Sequence, residues 1–134
     1  MMTQGLPYVR IYADAAGESH IEQLAMPLAT RLFAPPAAPL DVSAPVAAST
    51  FRMLRLAADW RGGWHPTPVR QWFFFLAGAV SIETSDGAKH VATAGSIVLL
   101  EDTTGKGHDT RVTGNAEVRI AAVQVPGIAS GGEA

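Results

Sequence analysis

The sequence contains no cysteine, which excludes disulfide bonds, thiolate metal sites and cysteine nucleophiles together. Charged residues are also scarce, at 16% of 134 residues, and the formal net charge is only -2. A mildly acidic chain without a cluster of Lys and Arg cannot neutralise the phosphates of a nucleic-acid backbone, so we expect no nucleic-acid partner. The longest apolar runs, over residues 72–80 and 97–100, are too short to cross a bilayer, so we expect no membrane partner either.

The N-terminal segment Met-Met-Thr-Gln-Gly lacks the basic and apolar regions of a signal peptide, so we expect a cytoplasmic protein. Apolar residues make up 48% of the chain, which is typical of a soluble globular protein and argues against disorder. A chain of this length is expected to form one domain, burying roughly two thirds of the surface that it exposes when unfolded.

Short apolar segments recur about every 8–12 residues between turns rich in glycine or proline, a pattern typical of an all-β sandwich or barrel. Segment 33–45 holds four of the nine prolines, which predicts an extended edge or a covering arm. We divide the single domain into an N-terminal arm with covering strands over 1–50, a barrel core over 51–126 and a flexible tail over 127–134. No window predicts a helix, and strands are predicted over residues 8–12, 20–28, 51–56, 80–84, 89–92, 96–101, 108–113 and 117–125.

The stretch over residues 64–78 is the most informative part of the chain. If it is extended, alternate side chains share a face, and one face then runs from polar groups to aromatic packing, as in the mouth of a β-barrel. That face holds His65, Thr67, Gln71, Phe73 and Phe75. The other face holds Trp72, Phe74 and Leu76, which would be costly to expose. We therefore expect the proline-rich arm or a second subunit to cover it, and we predict a homodimer.

Two spacings in the chain resemble the motifs of the cupin family. The first runs from Gly63 through His65-Pro66-Thr67 to Gln71 and Gly78, with Thr67 where the family has a second histidine and Gln71 where it has glutamate. The second opens at Gly95 and ends at His108, a little later than the family pattern. The match covers residues 51–125. The resemblance implies a small single-domain cupin, a double-stranded β-helix that forms a jelly-roll-like barrel.

The resemblance also implies a site in the mouth of this barrel. Metal-binding cupins hold their ion with three histidines and a carboxylate, and the matching positions here supply His65, Gln71 and His108. Because two of the family's ligands are replaced by neutral groups, we expect either no metal or a weakly bound divalent ion such as Zn, Mn, Fe or Ni. A metal-dependent oxygenase or lyase is one hypothesis for the function.

The favoured hypothesis needs no metal. His65 and His108 would act as base and acid, because a histidine exchanges protons near physiological pH. Gln71 would orient a substrate oxygen and Thr67 would add a small donor, while Phe73 and Phe75 would form an apolar floor for a small metabolite. This equipment suits a lyase or isomerase, and a non-catalytic module that binds a small molecule is the third hypothesis.

Four further residues have open roles at this point. His20 could fold over the barrel mouth and add a third imidazole to the substrate site, or it could be solvated between its acidic neighbours. Glu101 or Asp102 could enter the site from the loop of the second motif. Lys106 could contact an anionic substrate, although its glycine-flanked position lacks the spacing of a phosphate-binding loop.

Overall fold

The computed structural model describes residues 5–126, which form eleven strands and no helix. The predicted tail over 127–134 lies outside these described residues. Within them, no helix is long and apolar enough to pass through a membrane. The strands are β1 (Leu6–Ala13), β2 (Ser19–Met26), β3 (Ala29–Arg31), β4 (Leu40–Val42), β5 (Thr50–Leu56), β6 (Gln71–Ala77), β7 (Ala79–Thr84), β8 (Lys89–Thr93), β9 (Ile97–Leu100), β10 (His108–Thr113) and β11 (Val118–Gln124).

Two sheets form the body of the molecule. The larger sheet has the order β2-β1-β9-β6-β11-β5, and the smaller one has the order β10-β7-β8. The pairing of β1 with β9 is parallel, whereas every other pair in these sheets is antiparallel. The predicted all-β, jelly-roll-like barrel is confirmed.

The main core lies between the two sheets and follows from the alternation of side chains along each strand. In β7, Val80 and Ile82 are buried on the inner face, while Ser81 and Glu83 alternate with them on the outer face. Ile11 and Ile120 meet them from the larger sheet. Each fully buried aliphatic side chain of this kind contributes about 1.5–3 kcal/mol, so the closed sandwich of sheets is held by its apolar interior.

The first two strands of the chain, β1 and β2, are part of the larger sheet of the barrel, which the sequence does not indicate. β1 lies between β2 and β9 in the larger sheet, and its Ile11 is completely buried in the main core. The predicted boundary at residue 50, with only an arm and covering strands before it, is therefore wrong. The reason is that β1 pairs with β9, some 90 residues away, through Val9 opposite Val98 and Ile11 opposite Leu100, and no local pattern shows such a pairing.

The proline-rich segment joins neither main sheet. β3 and β4 pair only with each other, and residues 43–48 border the same surface pocket as Trp72 and Phe74 on the outer face of the larger sheet. Trp72 is 7% exposed, but Leu76 on the same face remains 52% exposed. Trp72 packs against Leu99 and Val125, and the expected cover of this apolar face by the arm or by a second subunit of a homodimer stays a prediction.

Candidate functional site

A cavity of about 420 Å3 opens between the two sheets. Its polar end is formed where the chain enters β6 and β10, and its apolar end lies over the main core. Six of the seven site residues expected from the sequence line it: His65, Thr67, Gln71, Phe73, Phe75 and His108. Their chemical roles stay predictions, but the expected convergence of two distant motifs on one cavity is present.

The predicted continuous strand over 64–78 is broken in its middle. β6 begins only at Gln71, because Pro66 and Pro68 have no N–H to donate to a neighbouring strand. His65 nevertheless pairs with His108 as an isolated antiparallel bridge: each backbone N–H donates to the other residue's carbonyl, at 3.1 and 3.0 Å. The bridge makes the two histidines direct cross-strand neighbours, and their ring centroids are 5.1 Å apart.

Gly107 is the residue that permits this close approach. Its φ of +75° lies in the left-handed region, and a Cβ atom there would collide with the backbone carbonyl of His65. Gly107 approaches the first histidine's backbone and thereby fixes the pairing of His65 with His108.

Hydrogen bonds determine which nitrogen of each ring carries a proton. Nδ1 of His65 lies 2.8 Å from the carbonyl oxygen of Gly63, and Nδ1 of His108 lies 2.7 Å from Oδ2 of Asp102. A carbonyl and a carboxylate oxygen can only accept, so Nδ1 is the protonated nitrogen in both neutral rings. Neither Nε2 atom has a hydrogen-bond partner among residues 5–126, which leaves both lone pairs for a ligand.

Asp102 is the site residue that the sequence left undecided. It is completely buried, its Oδ2 accepts from His108, and its Oδ1 accepts from the hydroxyl of Thr67 at 2.7 Å. Its neighbour Glu101 points elsewhere and accepts from Arg10 and Arg70 instead. The two acids continue the alternation of β9, in which Leu99 faces outward and Leu100 lines the cavity, so strand parity and not motif spacing separates them.

The apolar end of the cavity is built by alternate residues of β6. Phe73 and Phe75 extend inward with ring centroids 6.1 Å apart in a T-shaped contact, and Phe75 is 2% exposed. These two rings form the predicted floor. Trp60 and Met53 also line the cavity, although no motif or spacing separates them from ordinary packing residues.

His20 does not line this cavity, so its predicted place in the substrate site is wrong. It lies on β2, at the edge of the larger sheet, with Nε2 2.7 Å from Asp14 and Nδ1 2.9 Å from Asp86. The hydrogen bond to Asp14 is the main reason why the pKa of His20 lies above its ordinary value of 6.5; desolvation opposes it and Asp86 adds to it. Two carboxylates therefore hold this ring at the surface.

Lys106, which could have met an anionic substrate, is engaged elsewhere, and so is the neighbouring cation of the site, Arg70. Lys106 donates to Glu18 at 3.0 Å, and Arg70 pairs with Glu101 on the outer side of the barrel. Burial acts to raise the pKa of Glu101, but hydrogen bonds from Arg10 and Arg70 outweigh it and hold that pKa below its ordinary value. Neither cation lines the cavity.

The residues at the polar end fit only in part the metal that the family resemblance implies. The ring orientation suits a ligand, because metal-binding histidines commonly donate their other N–H to a carbonyl or carboxylate. The donor set does not suit one: Gln71 is a neutral amide, and both oxygens of Asp102 are used by Thr67 and His108. Among the described residues, no group of three or more His, Asp or Glu side chains could hold a metal ion. We therefore derive no step through a metal.

Comparisons with known proteins concern the fold alone. No family model matches the sequence, and no curated protein matches it. Similar solved structures include a cupin domain from Bordetella pertussis, which is 16% identical over 57% of this chain and 80% of that chain with a TM-score of 0.46. A predicted oxalate decarboxylase from Thermotoga maritima is 20% identical over 58% of this chain and 67% of that chain, again with a TM-score of 0.46.

A cupin-2 domain containing protein from Shewanella frigidimarina is 17% identical over 56% of this chain and 68% of that chain, with a TM-score of 0.45. Because these identities and TM-scores are low, the assignment depends on the chain's own architecture. Two facing β-sheets, a parallel contact between β1 and β9 and two spaced motifs that meet in one cavity are all present. By these features residues 5–126 form a two-sheet, jelly-roll-like β-barrel whose motif spacing resembles that of cupins.

Proposed function

We propose that the protein is an enzyme of the lyase or isomerase type that moves a proton on a small, uncharged and largely apolar carbonyl compound. The observation that carries this proposal is the pair of Nε2 lone pairs, from His65 and His108, at the polar end of an otherwise apolar cavity. A general base needs such an unprotonated nitrogen within reach of the carbon acid.

The reaction that this arrangement suits begins with a carbon–hydrogen bond next to a carbonyl group. Nε2 of His108 takes the proton, and the electron pair of the broken bond moves to the carbonyl oxygen to give an enolate. The amide N–H of Gln71 can donate to that oxygen, and the neutral ring of His65 can accept from a substrate hydroxyl. In a substrate with a hydroxyl group on the deprotonated carbon, the hydroxyl proton moves to the enolate oxygen by way of Nε2 of His65, and the proton on His108 returns to the former carbonyl carbon, which completes an isomerisation. In a substrate with a hydroxyl group on the next carbon, the electron pair of the enolate expels that hydroxyl, which takes the proton from His108 and leaves as water.

The lining of the cavity supports the substrate class. Apart from the two histidines, Arg55 is the only ionisable side chain that lines it among the described residues, and this side chain is 73% exposed. A phosphate or a carboxylate deep in the cavity would therefore lose water without gaining a charged partner. Aromatic and aliphatic side chains such as Phe73, Phe75 and Leu54 favour an apolar body instead.

Solvent exchange of a carbon-bound proton tests the proposal without knowledge of the natural substrate. We choose phenylacetone as the probe, because it is uncharged, carries an aromatic ring and has protons next to its carbonyl group. Incubation with the protein in D2O is expected to exchange those protons for deuterium faster than imidazole buffer alone, as followed by proton NMR. His108→Gln should abolish the protein-dependent exchange. Exchange that is unchanged in this variant would overturn the proposal.

The same preparation separates the other two hypotheses. Because the site offers too few metal-binding side chains to hold a divalent ion, chelator treatment is expected to leave the rate of deuterium exchange unchanged. Exchange that is lost with the chelator and restored by one divalent ion would establish the metal-dependent enzyme instead. Binding of phenylacetone with no exchange above buffer, in the wild-type protein, would favour the non-catalytic binding module.

A further inference from the structure

The buried carboxylate of Asp102 lies beside the cavity and does not line it, so it cannot itself contact a substrate. We propose that Asp102 is the positioning residue of His108 and that Thr67 fixes the orientation of Asp102. This inference rests on the proposed function, since it assigns the base in that reaction to His108 and not to His65.

Thr67 holds Asp102 by two hydrogen bonds. Its backbone N–H donates to the backbone carbonyl of Asp102 at 2.9 Å, and its hydroxyl donates to Oδ1 at 2.7 Å. Thr67 is 2% exposed, Asp102 is completely buried and His108 is 5% exposed, so water has little access to any link of this chain. With Oδ1 occupied by Thr67, only Oδ2 remains for the ring of His108.

The two histidines of the site differ in what lies behind them. Nδ1 of His65 donates to the neutral carbonyl of Gly63, whereas Nδ1 of His108 donates to a carboxylate. When Nε2 takes a proton, the positive charge that forms on His108 lies beside the negative charge of Asp102 in a buried place. His65 has no such partner among the residues described. The geometry therefore favours His108 as the base.

Thr67 occupies the position at which the cupin motif has its second histidine. Its hydroxyl is directed to Asp102 instead of into the cavity as a ligand. The position that would otherwise supply an imidazole thus stabilises a carboxylate–imidazole pair. We read the threonine as part of the proton-transfer equipment and not as a lost ligand.

The test reads the proton position on His108 directly. Imidazole nitrogen shifts of protein labelled with nitrogen-15 distinguish the two neutral forms of a ring, and His108→Gln assigns the signal among the four histidines. In the wild-type protein we expect the proton on Nδ1. In Asp102→Asn the hydroxyl of Thr67 still donates to the side-chain oxygen, so the amide N–H2 is turned toward His108 and the proton moves to Nε2.

Asp109 provides a matched control. It is the residue after His108 and is 6% exposed, but it lies on the opposite face of β10, where Arg61 donates to it at 3.5 Å. Asp109→Asn removes the same charge at nearly the same place and should leave the proton of His108 on Nδ1. Should Asp102→Asn leave it there too, or Asp109→Asn shift it equally, the positioning role is overturned.

A milder pair of variants covers the case in which Asp102→Asn does not fold. Thr67→Val removes only the hydroxyl that orients Asp102, and Thr67→Ser restores it. We expect Thr67→Val to slow phenylacetone exchange about tenfold through kcat with little change in KM, Thr67→Ser to recover most of that loss, and Asp102→Asn to slow exchange about 100-fold or more. Equal rates in the valine and serine variants would contradict the role of Thr67.

The outcomes also separate this inference from the proposed function. If the proton on His108 moves as expected in Asp102→Asn but the wild-type protein exchanges no carbon-bound proton, the positioning holds and the proposed reaction fails. If exchange occurs and depends on His108 but the proton stays on Nδ1, the reaction holds and the positioning fails.

Discussion

The molecule contains two histidine–aspartate arrangements, and they differ in burial and in the number of nitrogens that they occupy. His108 is buried and uses Nδ1 for Asp102, which leaves Nε2 without a partner among the described residues. His20 is at the surface and uses both nitrogens, one for Asp14 and one for Asp86. The first arrangement keeps a basic nitrogen available, and the second consumes both nitrogens in ion pairs.

This difference shows that a histidine next to a carboxylate is not by itself a catalytic group. The ring must also have a nitrogen that faces a space large enough for a ligand. His108 meets this condition because the cavity of about 420 Å3 lies beside it. His20 joins the turn after β1 to the turn between β7 and β8, so its position suits a structural link between the two sheets.

The largest expected difference between the two arrangements is in activity, when His108 and His20 are replaced in turn. His108→Gln is expected to slow deuterium exchange into phenylacetone by about 100-fold or more, because it removes the base. His20→Gln should leave the rate within about twofold, since that ring contacts no part of the cavity. Proton NMR in D2O measures both rates. A comparable loss in the two variants would mean that His20 acts on the site or that folding is impaired.

The two arrangements should also differ in how much the free energy of unfolding falls when one carboxylate is removed from each. Asp102→Ala leaves the buried hydroxyl of Thr67 and the Nδ1–H of His108 without an acceptor, so we expect the free energy of unfolding to fall by about 2–5 kcal/mol. Asp14→Ala should cost less, because its side chain is 39% exposed and water can replace it. Urea unfolding followed by tryptophan fluorescence measures both, and equal losses would contradict the difference in burial.

The surface arrangement around His20 should make the free energy of unfolding depend on pH. The pKa of His20 in the folded protein lies above 6.5, chiefly because of the hydrogen bond to Asp14. Its contribution to stability is therefore complete below the unfolded pKa of about 6.5 and is lost as pH rises through the higher folded pKa. The stability difference between wild type and His20→Asn should accordingly be largest in mildly acidic solution and shrink toward alkaline pH, in urea titrations at a series of pH values.

Asp14 restricts the pH range in which His20 contributes to stability, and His90 provides a control. The pKa of Asp14 is lowered, mainly by the hydrogen bond with His20, so the contribution of that carboxylate is lost again as pH falls through its folded pKa. His90 offers the control, because burial lowers its pKa and its effect has the opposite sign. The difference between wild type and His90→Asn should grow with rising pH. The same trend in both variants would rule out the assignment to His20.

The fold was largely predictable because each part of the evidence for it is local. Glycine and proline turns separate short apolar segments, and the predicted strands over 80–84 and 89–92 pair as β7 and β8 around the turn over 85–87. Alternation in β6 correctly divided Phe73 and Phe75 from Trp72 and Phe74. The place of β1 was not predictable, since its parallel partner β9 lies far away in the sequence and leaves no local pattern.

The candidate site was predictable in part, for the same physical reason. Motif spacing selected His65 and His108 as partners, and the backbone bridge between them confirms that placement. Motif spacing did not choose between Glu101 and Asp102, which continue the alternation of β9 and so point to opposite sides of the sheet. It also could not exclude His20, whose acidic partners Asp14 and Asp86 meet it only in the folded chain.

By itself, the order of residues determined which segments are extended, which faces are apolar and which residue types were available for proton transfer. The tertiary structure alone decided which nitrogen of each ring is protonated and which carboxylate stands behind His108. The physical reason is that alternation and turn formation act over a few residues, whereas the state of a buried imidazole is set by groups that only folding brings within hydrogen-bond distance.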